Sequence, residues 1–185
     1  MNNAPSDWIV RWSHLVPAGA TVLDLACGSG RHLQWFAARG ARVTGVDRDT
    51  AALQESAHIE GESAELIEAD IENGPWPLAG RRFDAVIVTN YLWRALLPRI
   101  FETVADGGLL LYETFATGQE TVGRPTRADF LLQPGELLTA CTGLRVVAYE
   151  DGFMPEPARF VQRIAAVRPA GSNDGQPPRH LLAGN

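Results

Sequence analysis

The chain of 185 residues contains no lysine; all 16 of its basic residues are arginine. That excludes P-loop chemistry, because GxxxxGK[ST] needs a lysine to reach the phosphates. Cysteine is scarce, with only Cys27 and Cys141. Two are too few for a disulfide framework, and a reduced, cytoplasmic setting is expected. The four histidines, His14, His32, His58 and His180, have no ligand spacing with these cysteines, so no metal site is expected. No run approaches the roughly 18 apolar residues of a membrane helix. The opening MNNAPSDWIVRW carries Asp7 and Arg11 among its apolar residues, so no signal-peptide core is expected. An excess of positive charge is also missing. The net charge is −6, which argues against a nucleic-acid partner, since that needs a basic face to displace counterions. The acidity is confined to residues 1–72, with 5 arginines and 11 acids; residues 73–185 hold 11 of each.

What is present fits one folded domain of ordinary size. Hydrophobic residues make up 45%, which rules out a disordered chain. A single domain over 1–168 is expected, with 169–185, AGSNDGQPPRHLLAGN at its end, as a flexible tail. A helix over 7–16, capped by Ser6 or Asp7, comes first. Apolar runs then predict strands over 21–27, 41–47, 64–69, 83–89 and 109–114. Helices are expected over 31–39, 49–59 and 92–104, the last kinked or divided by Pro98. Asp106-Gly107-Gly108 reads as a turn before the fifth strand. Residues 115–132 read as irregular, and 133–142 as a helix. Strands over 144–150 and 160–167 close the pattern, separated by a Pro-rich loop over 152–158. Continuous apolar strands alternating with helices mean an α/β fold with a parallel sheet covered on both faces. The last two strands lack a helix between them and should form an antiparallel hairpin. The expected fold class is α/β: Rossmann-like, seven-stranded and mostly parallel, with the last strand antiparallel.

The informative segment is VLDLACGSG, 22–30. A buried strand delivers Asp24 near its end, and the chain turns through Gly28 and Gly30 into a helix. Glycine permits positive φ there and lets a ligand approach the backbone. Ligands of open α/β sheets bind beyond the carboxyl ends of the strands. Asp47 ends the second strand, where a carboxylate can accept hydrogen bonds from both ribose hydroxyls; its alternative role is a helix cap. Asp70 follows the third strand and can accept from an adenine amino group while Ile71 packs on the ring; its alternative is a solvated loop acid. From Gly28 the frame is G-S-G-R-H-L, so Leu33 fills the third small position of a dinucleotide fingerprint and counts against it. Asp24 beside the turn suits an ammonium group. A ligand that has an amine, a carboxylate, a ribose and an adenine is S-adenosylmethionine.

The chain resembles the class I S-adenosylmethionine-dependent methyltransferases. VLDLACGSG resembles their first motif, VTGVD the acidic second strand and EADIE the adenine loop. FDAVIVTNYL resembles the fourth strand and GGLLLYETF the fifth. DLACGSGRH is similar to the tellurite-resistance-type members. The resemblance implies strand order 3-2-1-4-5-7-6. It places Asp24, Gly28 and Gly30 along the methionine portion, Asp47 on the ribose and Arg48 beside the adenine. It also places Asp70 and Ile71 on the adenine, and Asn90 near the methyl group. Arg11 is a further candidate, for the methionine carboxylate, or else a solvated helix arginine.

Methyl transfer from a sulfonium requires alignment first, and a base only when the nucleophile arrives protonated. Tyr91 and Glu113, beyond the fourth strand and within the fifth, are the candidates for that base; simple packing is the alternative for each. Residues 119–127 are a possible lid. TNYLWR is unlike an NPPY sequence, and no added nucleic-acid domain is visible, so a small-molecule acceptor is expected. Two other classes stay open: an S-adenosylmethionine-binding module without transfer, and an NAD-dependent oxidoreductase.

Overall fold

A computed structural model describes residues 4–56, 64–171 and 178–182. One seven-stranded sheet forms the centre, in the order β3-β2-β1-β4-β5-β7-β6. The strands are β1 (Thr21–Leu25), β2 (Arg42–Asp47), β3 (Ala64–Glu68), β4 (Phe83–Thr89), β5 (Val104–Phe115), β6 (Arg145–Pro155) and β7 (Ala158–Val167). β1 to β5 pair in parallel, and β7 runs antiparallel to both β5 and β6. The expected class and strand order both hold.

Apolar side chains alternate across the sheet and fill a core on each face. On one face Leu23, Leu25, Val86, Val88, Leu110 and Tyr112 meet α4 (Leu97–Glu102) and α5 (Glu136–Ala140). On the other, Val22, Val43, Ile87, Leu109, Leu111 and Ala165 meet α1 (Asp7–Trp12) and α2 (Arg31–Ala37). Ser6 caps α1, its hydroxyl accepting from the Trp8 N–H at 3.2 Å.

Several boundaries differ from expectation, each for a local reason. Helix α1 ends at Trp12 and tightens into a 3₁₀ turn over Ser13–Leu15. Helix α3 is seen over Thr50–Ser56, and residues 57–59 of the expected helix lie outside the described residues. The expected helix over 92–104 divides into a 3₁₀ turn, Arg94–Leu96, and α4, because Pro98 lacks an N–H and fits only a first turn. Val104 and the turn at 106–108 belong to β5 as an irregularity: Phe83 pairs with Val104, but Ala85 pairs with Leu109. The Pro-rich loop over 152–158 is instead the far end of the β6–β7 hairpin, with Pro155 paired to Ala158. β6 is an edge strand, where a missing N–H is harmless. In the expected tail, the Leu181 carbonyl lies 3.0 Å from His14 Nε2.

The close approach of α2 to the sheet is made from the strand side. A Cβ placed on Gly45 of β2 would lie 2.6 Å from Leu33 Cδ1, 3.0 Å from Cys27 Sγ and 3.1 Å from Leu66 Cδ2. Leu33 therefore fills a notch that Gly45 leaves open. Gly45→Ala overpacks this contact and is expected to destabilise the fold by about 2 kcal/mol. The melting temperature should fall by about 4–8 °C for a chain of this size, measured by calorimetry.

Candidate cofactor site

The turn from β1 into α2 carries three residues with left-handed backbone: Ala26 (φ 55), Gly28 (φ 54) and Gly30 (φ 71). Ala26 and Asn90 (φ 54) are the two non-glycine residues with positive φ among the described residues. Each follows the carboxyl end of a central strand, where backbone strain marks functional sites.

Asp47 organises the turn. Its Oδ2 accepts from the Gly28 N–H at 2.8 Å and its Oδ1 from the Asp49 N–H at 2.9 Å. A carboxylate offers about four lone-pair positions, so each oxygen can still accept from a hydroxyl. The helix-cap role falls to Asp49, which accepts from the Ala51 and Ala52 N–H groups at 3.0 and 3.2 Å.

A cleft opens beside Asp47, lined also by Val46, Arg48, Ala69, Asp70, Ile71 and Tyr91. Val46, Ala69 and Ile71 give it an apolar wall, and carboxylates stand at its rim. That combination suits a nucleoside: the base lies on aliphatic side chains and the sugar hydroxyls donate to acid. Asp70 holds its loop in place, accepting from the Glu72 and Asn73 N–H groups and the Asn73 side-chain amide. The Asn73 amide above all, then the Asn73 N–H, holds the Asp70 carboxyl below its usual range.

Asp24 is only 1% exposed, and neither of its carboxylate oxygens has a hydrogen-bond partner among the described residues. The nearest charged or polar partner is His32 of α2, whose Nδ1 stands 3.5 Å away, beyond good hydrogen-bond range. His32 Nε2 accepts from the Ser6 N–H at 3.2 Å, so the ring proton sits on Nδ1 and faces Asp24. A buried carboxylate left this way is costly unless a cation reaches it.

Arg11, by contrast, stands apart from the cleft. Its Nη1 lies 3.0 Å from Glu150 Oε1 of β6, and its guanidinium rests on the Trp8 and Trp12 rings. Asn90 is exposed at the end of β4 and donates its N–H to the Glu113 carbonyl at 2.9 Å. Glu113 is wholly buried, and its oxygens face Ser6 Oγ, Arg159 and Arg163.

Tyr91 reaches the cleft from beyond β4. Burial, then the charge of Glu72, raises its phenol well above the usual tyrosine range, so it stays protonated at neutral pH and serves as a donor. Its hydroxyl is buried without a hydrogen bond of good geometry among the described residues. Tyr91→Phe is therefore expected to weaken cofactor binding about fivefold, the size of one neutral hydrogen bond, by titration calorimetry. The pH profile of turnover should keep its shape, which a base at Tyr91 would not allow.

Cys27 is also inert as a nucleophile: burial first, then Asp24 and Asp47, push its thiol far up. Residues that the sequence reasoning missed are Glu72 at the cleft and His32 beneath it. His32 had a signal, since it sits at the second position of the helix that opens from the glycine turn.

In strand order and layering the fold is similar to that of S-adenosylmethionine-dependent methyltransferases. Residues 22–108 match the Methyltransferase domain family. Trans-aconitate 2-methyltransferase of Paracidovorax citrulli is 37% identical over 118 residues, covering 60% of this chain and 44% of the relative. The same enzyme of Delftia acidovorans is 33% identical over 115 residues, covering 57% and 42%. The chain thus spans less than half the length of these relatives. In fold it is similar to TehB of Haemophilus influenzae (TM-score 0.66, 19% identity, 80% of this chain and 57% of that one). It is also similar to an S-adenosylmethionine-dependent methyltransferase of Mesorhizobium loti (TM-score 0.67, 18% identity, 85% and 95%). No helix among the described residues is long and apolar enough to cross a membrane.

Proposed function

We propose that the protein transfers a methyl group from S-adenosylmethionine to a small organic acid, as an enzyme of the cytoplasm. The orphaned, buried carboxylate of Asp24 carries the cofactor reading. A cation would satisfy it, and the amine of a methionine moiety is such a cation. Bound S-adenosylmethionine supplies a methyl on a positively charged sulfur, already activated for displacement.

The chain's own residues then bind and align. Asp47 takes the ribose hydroxyls, and Gly28 and Gly30 keep the backbone low beneath the ligand. Arg48, Asp70 and Ile71 flank the base, with Tyr91 as a donor. Asn90 fixes the end of β4 against β5, where acceptor and donor have to meet in line. The acceptor class is supported by the two trans-aconitate 2-methyltransferases similar to this chain. The cytoplasmic setting is supported by two buried, free cysteines. Residues 1–168 form the catalytic domain in this reading.

The experiment is calorimetric titration with S-adenosylmethionine, S-adenosylhomocysteine and NAD, followed by mass spectrometry of a small-acid panel incubated with S-adenosylmethionine. Binding of the first two, and a gain of one methylene on an acid, is expected. NAD binding instead would make the chain an oxidoreductase; cofactor binding without methylated product or S-adenosylhomocysteine would make it a binding module.

A further inference from the structure

The cofactor reading leaves unused a second polar cluster, on the α1 side of the same strand ends. Glu113 of β5 lies at its floor, 0% exposed. Three groups converge on it: Ser6 Oγ at 3.0 Å, Arg163 Nη1 at 3.4 Å and Arg159 Nη1 at 3.5 Å. Arg163 also pairs through Nη2 with Glu150, which receives Arg11 as well. Three guanidiniums therefore face two carboxylates. His32, beyond Ser6, adds no second proton toward this side, because its Nε2 is an acceptor.

The positive charge left over is not evenly shared. Arg163 is tied at both Nη atoms and its guanidinium lies over the Trp8 ring. Arg159 has one contact, the long one to Glu113, although its side chain is only 19% exposed. The Nε atoms of both arginines are buried with no partner among the described residues, so the two differ at their Nη atoms. An arginine carries five donors in a planar fork, and here most of them are idle.

The register fixes where that fork stands. Phe115, the last residue of β5, pairs with Val161, so Arg159 sits two residues past the end of β5. Strand alternation puts Arg159, Val161 and Arg163 on one face, the face that holds Glu113. Arg159 is thus above the carboxyl rim, and its guanidinium lies against Glu113, the residue paired with Thr89 at the end of β4.

We infer that Arg159, steadied by Glu113 and backed by Arg163, grips a carboxylate of the methyl acceptor. The inference rests on the methyl-transfer reading above and names the group by which the acceptor is held. One carboxylate balances the unmatched charge and fills the idle fork.

The test is titration of the S-adenosylhomocysteine-loaded protein with trans-aconitate, citrate and succinate, and with the trimethyl ester of trans-aconitate as a neutral control. Arg159→Gln is expected to weaken binding of the preferred acid about tenfold or more, while the affinity for S-adenosylhomocysteine stays unchanged. Arg159→Lys should recover part of the loss. The inference is overturned if no acid binds the wild-type protein, if the ester binds equally well, or if Arg159→Gln leaves acid binding intact. It is also overturned if the variant loses S-adenosylhomocysteine affinity, since the carboxylate would then be the cofactor's own. Failure of the methyl-transfer reading shows separately, as no S-adenosylhomocysteine formed by the wild-type protein from S-adenosylmethionine in a metabolite extract.

Discussion

Asp47→Ala is expected to raise the dissociation constant for S-adenosylmethionine by about a hundredfold, read by titration calorimetry. Two effects add. The ribose loses a charged acceptor, and hydrogen bonds to charged groups are worth about 1.5–3 kcal/mol each. The turn also loses one of its two ties to the end of β2, the Gly28 N–H to Asp47, and keeps the Cys27 N–H to the Val46 carbonyl. A turn whose residues 26, 28 and 30 all hold left-handed backbone needs such a tether to stay in one conformation. Asp47→Asn separates the two effects: its single carbonyl oxygen can still accept, but it cannot serve both N–H groups and the ribose. An intermediate loss is expected for it. Unchanged affinity in Asp47→Ala would remove the ribose assignment.

The second large effect runs in opposite directions for stability and binding. Asp24→Asn is expected to make the unliganded protein more stable and to abolish most cofactor binding. An unsatisfied buried acceptor costs about 1–3 kcal/mol, and more when charged. The 1%-exposed Asp24 has no hydrogen-bond partner for either oxygen among the described residues. The amide removes the charge yet keeps an oxygen facing His32 Nδ1. A rise in melting temperature of about 3 °C or more is expected without ligand. The further rise that S-adenosylhomocysteine gives the wild-type protein should vanish. A variant that is both less stable and fully able to bind would mean that Asp24 is a structural carboxylate.

Periodicity was enough to read the strands, while their order came from the resemblance. Apolar runs such as FDAVIVT have one role, a strand buried on both faces, and β4 occupies the residues expected of it. The boundaries that failed depend on neighbours far along the chain. Prolines at 155 and 157 look like a loop in sequence. Pro155 is tolerated because β6 lies at the sheet edge, and Pro157 because it falls in the turn between β6 and β7, which only the finished topology reveals. The acids at 24, 47 and 70 were legible because strand ends are a short list of places. Their differences were not: Asp47 holds backbone, Asp70 holds its own loop and Asp24 holds nothing. Arg11 was read from residue type alone, and its partner Glu150 is 139 residues away. Arg159 and Arg163 had a signal, two arginines on one strand face, but nothing in the sequence placed that face beside Glu113.

The notch at Gly45 has a mechanical side. It lies two residues before Asp47, and the side chain that enters it belongs to α2, directly after Gly28 and Gly30. The loop that would cradle a ligand and the acid that would grasp its sugar are thereby keyed to a common bearing. Neither can drift without dragging the other, so this side of the cleft behaves as a rigid jaw.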